Sequence, residues 1–351
     1  MNILAIETSC DETAVSVVET TNTGFSVHSN IVSSQVAIHE RFGGVVPALA
    51  AREHAENIEH VFASALRDTG ISDPEHEIDL IAVTRGPGLG PALLVGLMFA
   101  RTLAWKWQKP LVGVDHMDGH IHSNWLGRSM PTDLFPALNL VVSGGHTELV
   151  LMRDHGDYEI LGETRDDAVG EAFDKVARLL ELGYPGGPRI SKLALGGNPA
   201  AYPLPRPMLS SGDLDFSYSG LKTAVLYLIR DLGGTLSAQQ KADIAASFQE
   251  AAVDVLIQKT RTAARDHHVR SLLLSGGVSA NTLLRERLQA LGSELRLPVH
   301  IPDLAFTGDN AAMIAVAGYF VFEKDQTPFS WESVQMDANL RLGGSSELVQ
   351  H

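Results

Sequence analysis

Two histidines four residues apart, His116 and His120 in the run LVGVDHMDGHIHS (111–123), are the residues of this chain best placed by spacing to do chemistry. Leu111–Val114 reads as a short buried strand. A helix starting directly after it would set both imidazoles on one face, one turn apart. Imidazole is a frequent ligand of zinc and iron, so the pair offers half the ligands of a metal centre. The competing reading is two histidines packed or capping at a helix terminus. His122 should point elsewhere and is set aside. Asp309, in FTGDNAAMIAVAGYF (306–320), is the best candidate for an oxygen ligand. Its alternative duty, shared with Thr307, is to cap the very apolar helix that follows. Two imidazoles and one carboxylate leave positions open for water or substrate, as a catalytic metal requires. The metalloprotease pattern fails, because Met117 rather than Glu follows His116.

Glycine-bearing turns supply a second kind of chemistry, backbone N–H groups that can hold an anion. The strand Asp79–Thr84 runs into Gly86-Pro-Gly-Leu-Gly90 and then the apolar stretch Pro91–Trp107, expected to be a buried helix. That turn lacks the Gly-Lys-Ser/Thr ending of a P-loop and the spacing of a dinucleotide fingerprint. Val269–Gly292 repeats the design around Ser275-Gly-Gly-Val-Ser-Ala-Asn281, and Ser143-Gly-Gly-His-Thr147 is a further polar turn. Any one of them is a tight-turn signature as readily as a nucleotide site. Asn281 could donate to a ribose or base, Asp174 could accept from a ribose hydroxyl, and Gly187 could admit a ligand to the backbone; an exposed helical Asp and a structural turn are the plain alternatives. Cys10 has no evident base beside it and reads as structural. His54 and His60, six apart in the helical pattern Ala48–Thr69, read as surface or flanking residues.

The elements that must position these residues come twice. Asn2–Glu19 is a hairpin around the polar turn Thr8–Thr13, with Ser26–Ser33 a third strand. After a linker at Pro131–Pro136, Ala137–Met152 repeats strand, polar turn and strand, and Asp157–Gly162 again follows as a third. Each set is followed by a strand, glycine turn and helix, an internal duplication of architecture. The expected fold is therefore α/β, two duplicated lobes around a cleft of the kind nucleotides favour. The boundaries expected are 1–130 and 131–325, with a helical insertion at about 165–265 in the second lobe and a tail, 326–351, packed back on the first.

Composition narrows the partners. The 351 residues carry 27 Lys and Arg against 42 Asp and Glu, a net charge of −15. Such a surface repels a phosphate backbone unless basic groups cluster or a basic partner joins. No run of 18 apolar residues and no basic-then-apolar leader is visible, and one cysteine excludes an internal disulfide, so a cytoplasmic protein is expected.

Taken together, ETSCDET (7–13), RGPG (85–88), His116–His120, VSGGHTEL (142–149), DDAVGEAFDKVAR (166–178), YPGGP (184–188), DFSYSGLKTA (215–224), SGGVSAN (275–281) and TGDNAAMIA (307–315) resemble the bacterial TsaD family over nearly the whole chain. The resemblance implies the actin-like, sugar-kinase-like and Hsp70-like ATPase fold. It implies transfer of a threonylcarbamoyl group from threonylcarbamoyl-AMP to N6 of the adenosine immediately 3′ of the anticodon, in tRNAs reading codons that start with A. It implies one divalent ion, Fe(2+) or Zn(2+), on His116, His120 and Asp309, and substrate contacts at Val141, Val142, Ser143, Gly144, Gly145, Asp174, Gly187 and Asn281. Glu12 and Asp11, near the cleft, are the candidates for removing the proton of the acceptor amine. The implied partners are the paralogue TsaB in a heterodimer, the ATPase TsaE, and a separate synthase that supplies the donor. A small-molecule kinase of the same fold, holding Mg²⁺ through carboxylates and water, and a metal-free actin-like scaffold are the competing classes.

Overall fold

The computed structural model describes residues 1–324 and 330–343. Its first half opens with β1 (Asn2–Glu7), β2 (Glu12–Thr20) and β3 (Phe25–Ser34), each antiparallel to the last. Then come α1 (Val36–His39), α2 (Pro47–Thr69), α3 (Pro74–Glu77), β4 (Leu80–Gly86), α4 (Gly90–Trp107) and β5 (Leu111–Asp115). The sheet order is β3-β2-β1-β4-β5, with β1, β4 and β5 parallel. Parallel strands covered on both faces need unbroken apolar runs, and LIAV of β4 is one. The pleat then sorts each run between two cores. Ile3, Ala5, Leu80 and Ala82 face one, while Leu4, Ile6, Ile81 and Val83 face the other.

The second half repeats the plan. After α5 (His116–His122) come β6 (Ala137–Val142), β7 (Thr147–Asp154) and β8 (Asp157–Glu163). They are followed by α6 (Val169–Leu179), α7 (Gly186–Ala194), α8 (Ser219–Asp231), α9 (Ala238–Asp266), β9 (Ser271–Ser275), α10 (Thr282–Leu295), β10 (Val299–His300) and α11 (Ala311–Lys324). Its order, β10-β9-β6-β7-β8, is that of the first sheet strand for strand. The long α9 holds the place between third and fourth strands that α2 holds in the first half. The added helices are thus α6 to α8, and α9 is part of the duplicated framework.

The helix α11 follows the second sheet in sequence but lies against β1, β2 and β5 of the first, and against α5. Met117 and Ile121 of α5 and Ala311–Ala317 of α11 join Ile3 and Ala82 on one side to Val141, Val150 and Leu273 on the other. These two helices form the layer between the sheets, where both lobes meet. Part of the tail expected at 326–351 falls at 326–329 and 344–351, outside the described residues. Of the rest, Val334 joins the core beneath α4, and the Asp337 amide donates to the Arg85 carbonyl at 2.8 Å.

Two local expectations are corrected. The apolar α4 is buried on one face only: Ala92, Leu93, Leu97, Ala100 and Ala104 are covered, while Leu94, Met98 and Trp105 are exposed. Hydrophobic composition all round does not itself bury a helix when only one side meets a sheet. His54 is fully buried rather than superficial. Its ring bridges Thr13 Oγ1 at 2.7 Å and the Cys10 carbonyl at 3.0 Å, fixing the first polar turn to α2.

Candidate metal centre and its cleft

The centre begins with a cap. β5 ends at Asp115, whose Oδ1 accepts the amides of Met117 at 2.8 Å and Asp118 at 3.4 Å. The helix therefore starts at His116, and His120 falls one turn further on, with ring centroids 4.7 Å apart. Asp309 arrives from the loop before α11. Capping of that helix falls to neither Thr307 nor Asp309, as expected from sequence, but to Asn310, whose Oδ1 accepts the Met313 amide at 3.0 Å. That leaves the Asp309 carboxylate to the histidines: Oδ1 lies 3.5 Å from His116 Nε2 and 3.2 Å from His120 Nε2. One ligand atom from each of the three lies within 4.8 Å of the others, the only such group among the described residues.

The electrostatics match. His116 Nδ1 lies 3.0 Å from the fully buried Glu7 Oε2 and 3.2 Å from Ser9 Oγ. Burial opposes charge on His116, but Asp309 and Glu7 on either side outweigh it and raise its pKa well above the imidazole range. Burial likewise pushes Asp309 up, and His116 and His120 together hold it well below the carboxylate range. His120 is 1% exposed; its Nδ1 has no hydrogen-bond partner, and its Nε2 faces the Asp309 carboxylate at 3.2 Å. A buried imidazole with one nitrogen unpartnered carries a desolvation cost. The donor set of two imidazoles and a carboxylate fits a zinc or iron ion.

Around this centre stand the turns. Asp11 is buried with Oδ2 unpartnered. Glu12 accepts from Ser34 Oγ at 3.0 Å, and burial, with Asp309 and Asp11 nearby, pushes its carboxyl up to about 9. Of the two candidates for accepting the amine proton, Asp11 is the one with a buried carboxylate oxygen that has no partner. In the second turn the Ser143 and His146 backbones close a tight hairpin, Ser143 N donating to the His146 carbonyl at 2.8 Å. Gly144 and Gly145 are exposed there. The Val141 and Val142 side chains are wholly buried, so only their backbone is available to a ligand. Gly276 turns at φ +87°, and a Cβ there would stand 2.3 Å from the Val142 carbonyl; the two glycine turns of this lobe fit together only without one. Asp174 Oδ1 accepts the Gly186 amide at 2.7 Å, and Gly187 has open space where a Cβ would be. Asn281 is engaged within the protein: Nδ2 donates to Ser191 Oγ at 2.9 Å and Gln249 Oε1 at 2.8 Å, and Oδ1 caps α10 at Leu284. The Cys10 thiol is raised by burial and by Asp11, which makes it inert.

Sequence reasoning missed two participants. Glu7 looked like the last residue of a strand, and His146 a member of a glycine turn. Burial and the nearby His116 and His120 lower the His146 pKa to about 4, so it stands neutral beside the centre. Both were visible only as polar residues next to apolar runs.

A family model described as tRNA N6-adenosine threonylcarbamoyltransferase, TsaD, matches residues 26–316. The chain belongs to this family. A relative of that name from Moorella thermoacetica is 50% identical over 95% of this chain and 96% of its own length. One from Bacillus subtilis is 49% identical over 92% and 91%. Among solved structures, HypF from T. kodakarensis aligns with a TM-score of 0.58 at 16% identity, over 91% of this chain and 47% of that one. A full-length HypF in its phosphate- and nucleotide-bound form aligns at 0.59 and 13%, over 92% and 46%. This chain thus spans about half of either HypF, and that likeness bears on the fold alone. The fold is the actin-like, two-lobed α/β architecture that the duplicated sheets display. Among the described residues no helix is long and apolar enough to cross a membrane.

Proposed function

We propose that this member of the tRNA N6-adenosine threonylcarbamoyltransferase family transfers the threonylcarbamoyl group of threonylcarbamoyl-AMP to N6 of the adenosine 3′ of the anticodon, using His116, His120 and Asp309 to hold one divalent ion, iron or zinc. The observation that supports this reading most is the convergence of those three side chains, two from α5 and one from the loop before α11. A bound ion there would supply Lewis-acid stabilisation of negative charge on the carbamoyl and phosphate oxygens. Glu7 fixes the ring and tautomer of His116, presenting Nε2 to the centre. Amides of Gly144 and Gly145 are suited to the phosphate of the adenylate, and the Asp174-braced turn at Gly186–Gly187 to its nucleoside. The exocyclic amine is a weak nucleophile, so its orientation beside the carbonyl carries much of the rate. As its nitrogen bonds to the carbamoyl carbon, the carbon–oxygen bond to phosphate breaks, AMP departs with the electron pair, and the amine proton passes to Asp11.

With a net charge of −15, this chain would rely on partners for a basic tRNA surface; the paralogue TsaB and the ATPase TsaE are the partners proposed, in the cytoplasm. The test supplies synthase, threonine, bicarbonate, ATP, partners and tRNA, and reads modified nucleoside by mass spectrometry. Wild-type chain should form it, and His116→Ala and Asp309→Ala should not; full activity in both variants would defeat the metal assignment.

A further inference from the structure

The first-half segment between β3 and α2 reaches across to the helices added in the second half. Glu40 lies in the short helical turn Glu40–Phe42, and its Oε1 accepts from Arg189 Nη2 of α7 at 2.8 Å. Three residues on, the Gly43 carbonyl accepts from Arg178 Nη2 of α6. Arg178 stands one turn beyond Asp174 on that helix, and Asp174 accepts the Gly186 amide at the start of α7. Arg189 is two residues past Gly187. Both contacts therefore join the first lobe to the turn that Asp174 braces.

Arg189 does more than pair with Glu40. Its guanidinium folds back over the turn before α7, Nη1 donating to the Leu182 carbonyl at 2.6 Å and Nη2 to the Tyr184 carbonyl at 3.0 Å. Gly183 turns between them at φ +83°, and a Cβ there would stand 3.0 Å from Nη1. The first-half side is fixed as well. The Gln35 amide donates to the Asp11 carbonyl at 2.9 Å, and Gln35 Oε1 accepts from Nε2 of the buried His39 at 3.1 Å. His39 Nδ1 in turn accepts the Val46 amide at 3.3 Å. Glu40 is thus carried on a segment tied to the polar turn that holds Asp11 and Glu12. Burial, then the charges of Asp11 and Asp174, raise the Tyr184 phenol above its usual range, so that side chain stands within reach of both lobes. The Glu40 and Arg189 side chains are 47% and 44% exposed, and an exposed ion pair adds little to stability. What the pair supplies is geometry, since a planar guanidinium bridges three oxygens where an ammonium does not.

We infer that Glu40 and Arg189 are positioning residues: the pair sets the 182–187 turn of the second lobe against the first polar turn, and so fixes where the nucleoside of a bound adenylate lies. The inference rests on the reading above, which seats that nucleoside at Gly186 and Gly187. The nucleoside is remote from the carbon that reacts. A displaced turn therefore weakens donor binding alike in the ground and transition states, raising KM more than it lowers kcat.

The test reads the turn and the reaction separately. Hydrogen exchange by mass spectrometry on the full chain should show amides at 183–187 opening up to about fivefold faster in Glu40→Ala. In Arg189→Ala they should open roughly 10- to 100-fold faster. Glu40→Ala should melt within about 2 °C of wild type. With partners and tRNA, KM for threonylcarbamoyl-AMP should rise by the same factors while kcat stays within about twofold. Adding Glu40→Ala to Arg189→Ala should change nothing further, and Arg189→Lys should not restore the wild-type KM. Unchanged exchange in both single variants, additive effects of the two substitutions, or faster exchange with KM unmoved would each overturn the inference. Absence of transfer by the wild-type complex would instead sink the underlying reading, and this inference with it.

Discussion

Replacing Glu7 by Gln tests whether the centre depends on a buried carboxylate behind its first histidine. Glu7 Oε2 accepts from His116 Nδ1 at 3.0 Å and Thr84 Oγ1 at 2.5 Å, and Oε1 accepts the Ser9 amide. Burial raises the Glu7 pKa, but the His116 charge and hydrogen bond outweigh that and keep it ionised. A glutamine has one acceptor oxygen, so its amide NH₂ must face either the Ser9 N–H or the His116 ring. In the second case His116 shifts its proton to Nε2 and no longer presents a lone pair to the centre. Either arrangement loses a charge-assisted hydrogen bond, about 1.5–3 kcal/mol. That corresponds to roughly 10- to 100-fold weaker metal binding, the usual range for such supporting carboxylates. The assay is a Zn²⁺ titration against a chelating dye, with circular dichroism confirming the fold. A natively folded Glu7→Gln protein whose zinc Kd stays within about twofold of wild type would refute the reasoning.

Two further outcomes follow from particular contacts. Asn310→Ala removes the cap of α11 and should lower stability by about 1 kcal/mol, while Asn310→Ser restores most of it; equal melting temperatures for all three would place the cap elsewhere. His155 stacks on Phe320 at 3.7 Å, and burial with His122 alongside lowers its pKa to about 3 from 6.5. The folded state therefore binds fewer protons than the unfolded one between those values, and stability present above pH 6.5 is lost as pH falls. By pH 5 the loss is about 2 kcal/mol, so His155→Phe should melt with a shallower acid slope than wild type, and parallel slopes would contradict this.

What the sequence determined by itself was the repeating part. The Asn2–Glu19 and Ala137–Met152 hairpins, and the strand–glycine–helix units after them, follow from local period and turn chemistry, so their duplication was legible without contacts. The His116–His120 spacing was likewise decisive once a helix began where β5 stops. Tertiary structure decided the rest. Whether Asp309 capped α11 or faced the histidines depended on which neighbour took the cap, and Asn310 took it. Asn281 read as a free donor, but folding spends its amide on Ser191 and Gln249. Glu7, His54 and His146 acquired their surroundings from segments far away in the chain. Burial and charge fields are sums over such distant neighbours, whereas periodicity is a property of adjacent residues, and only the second can be read along a line.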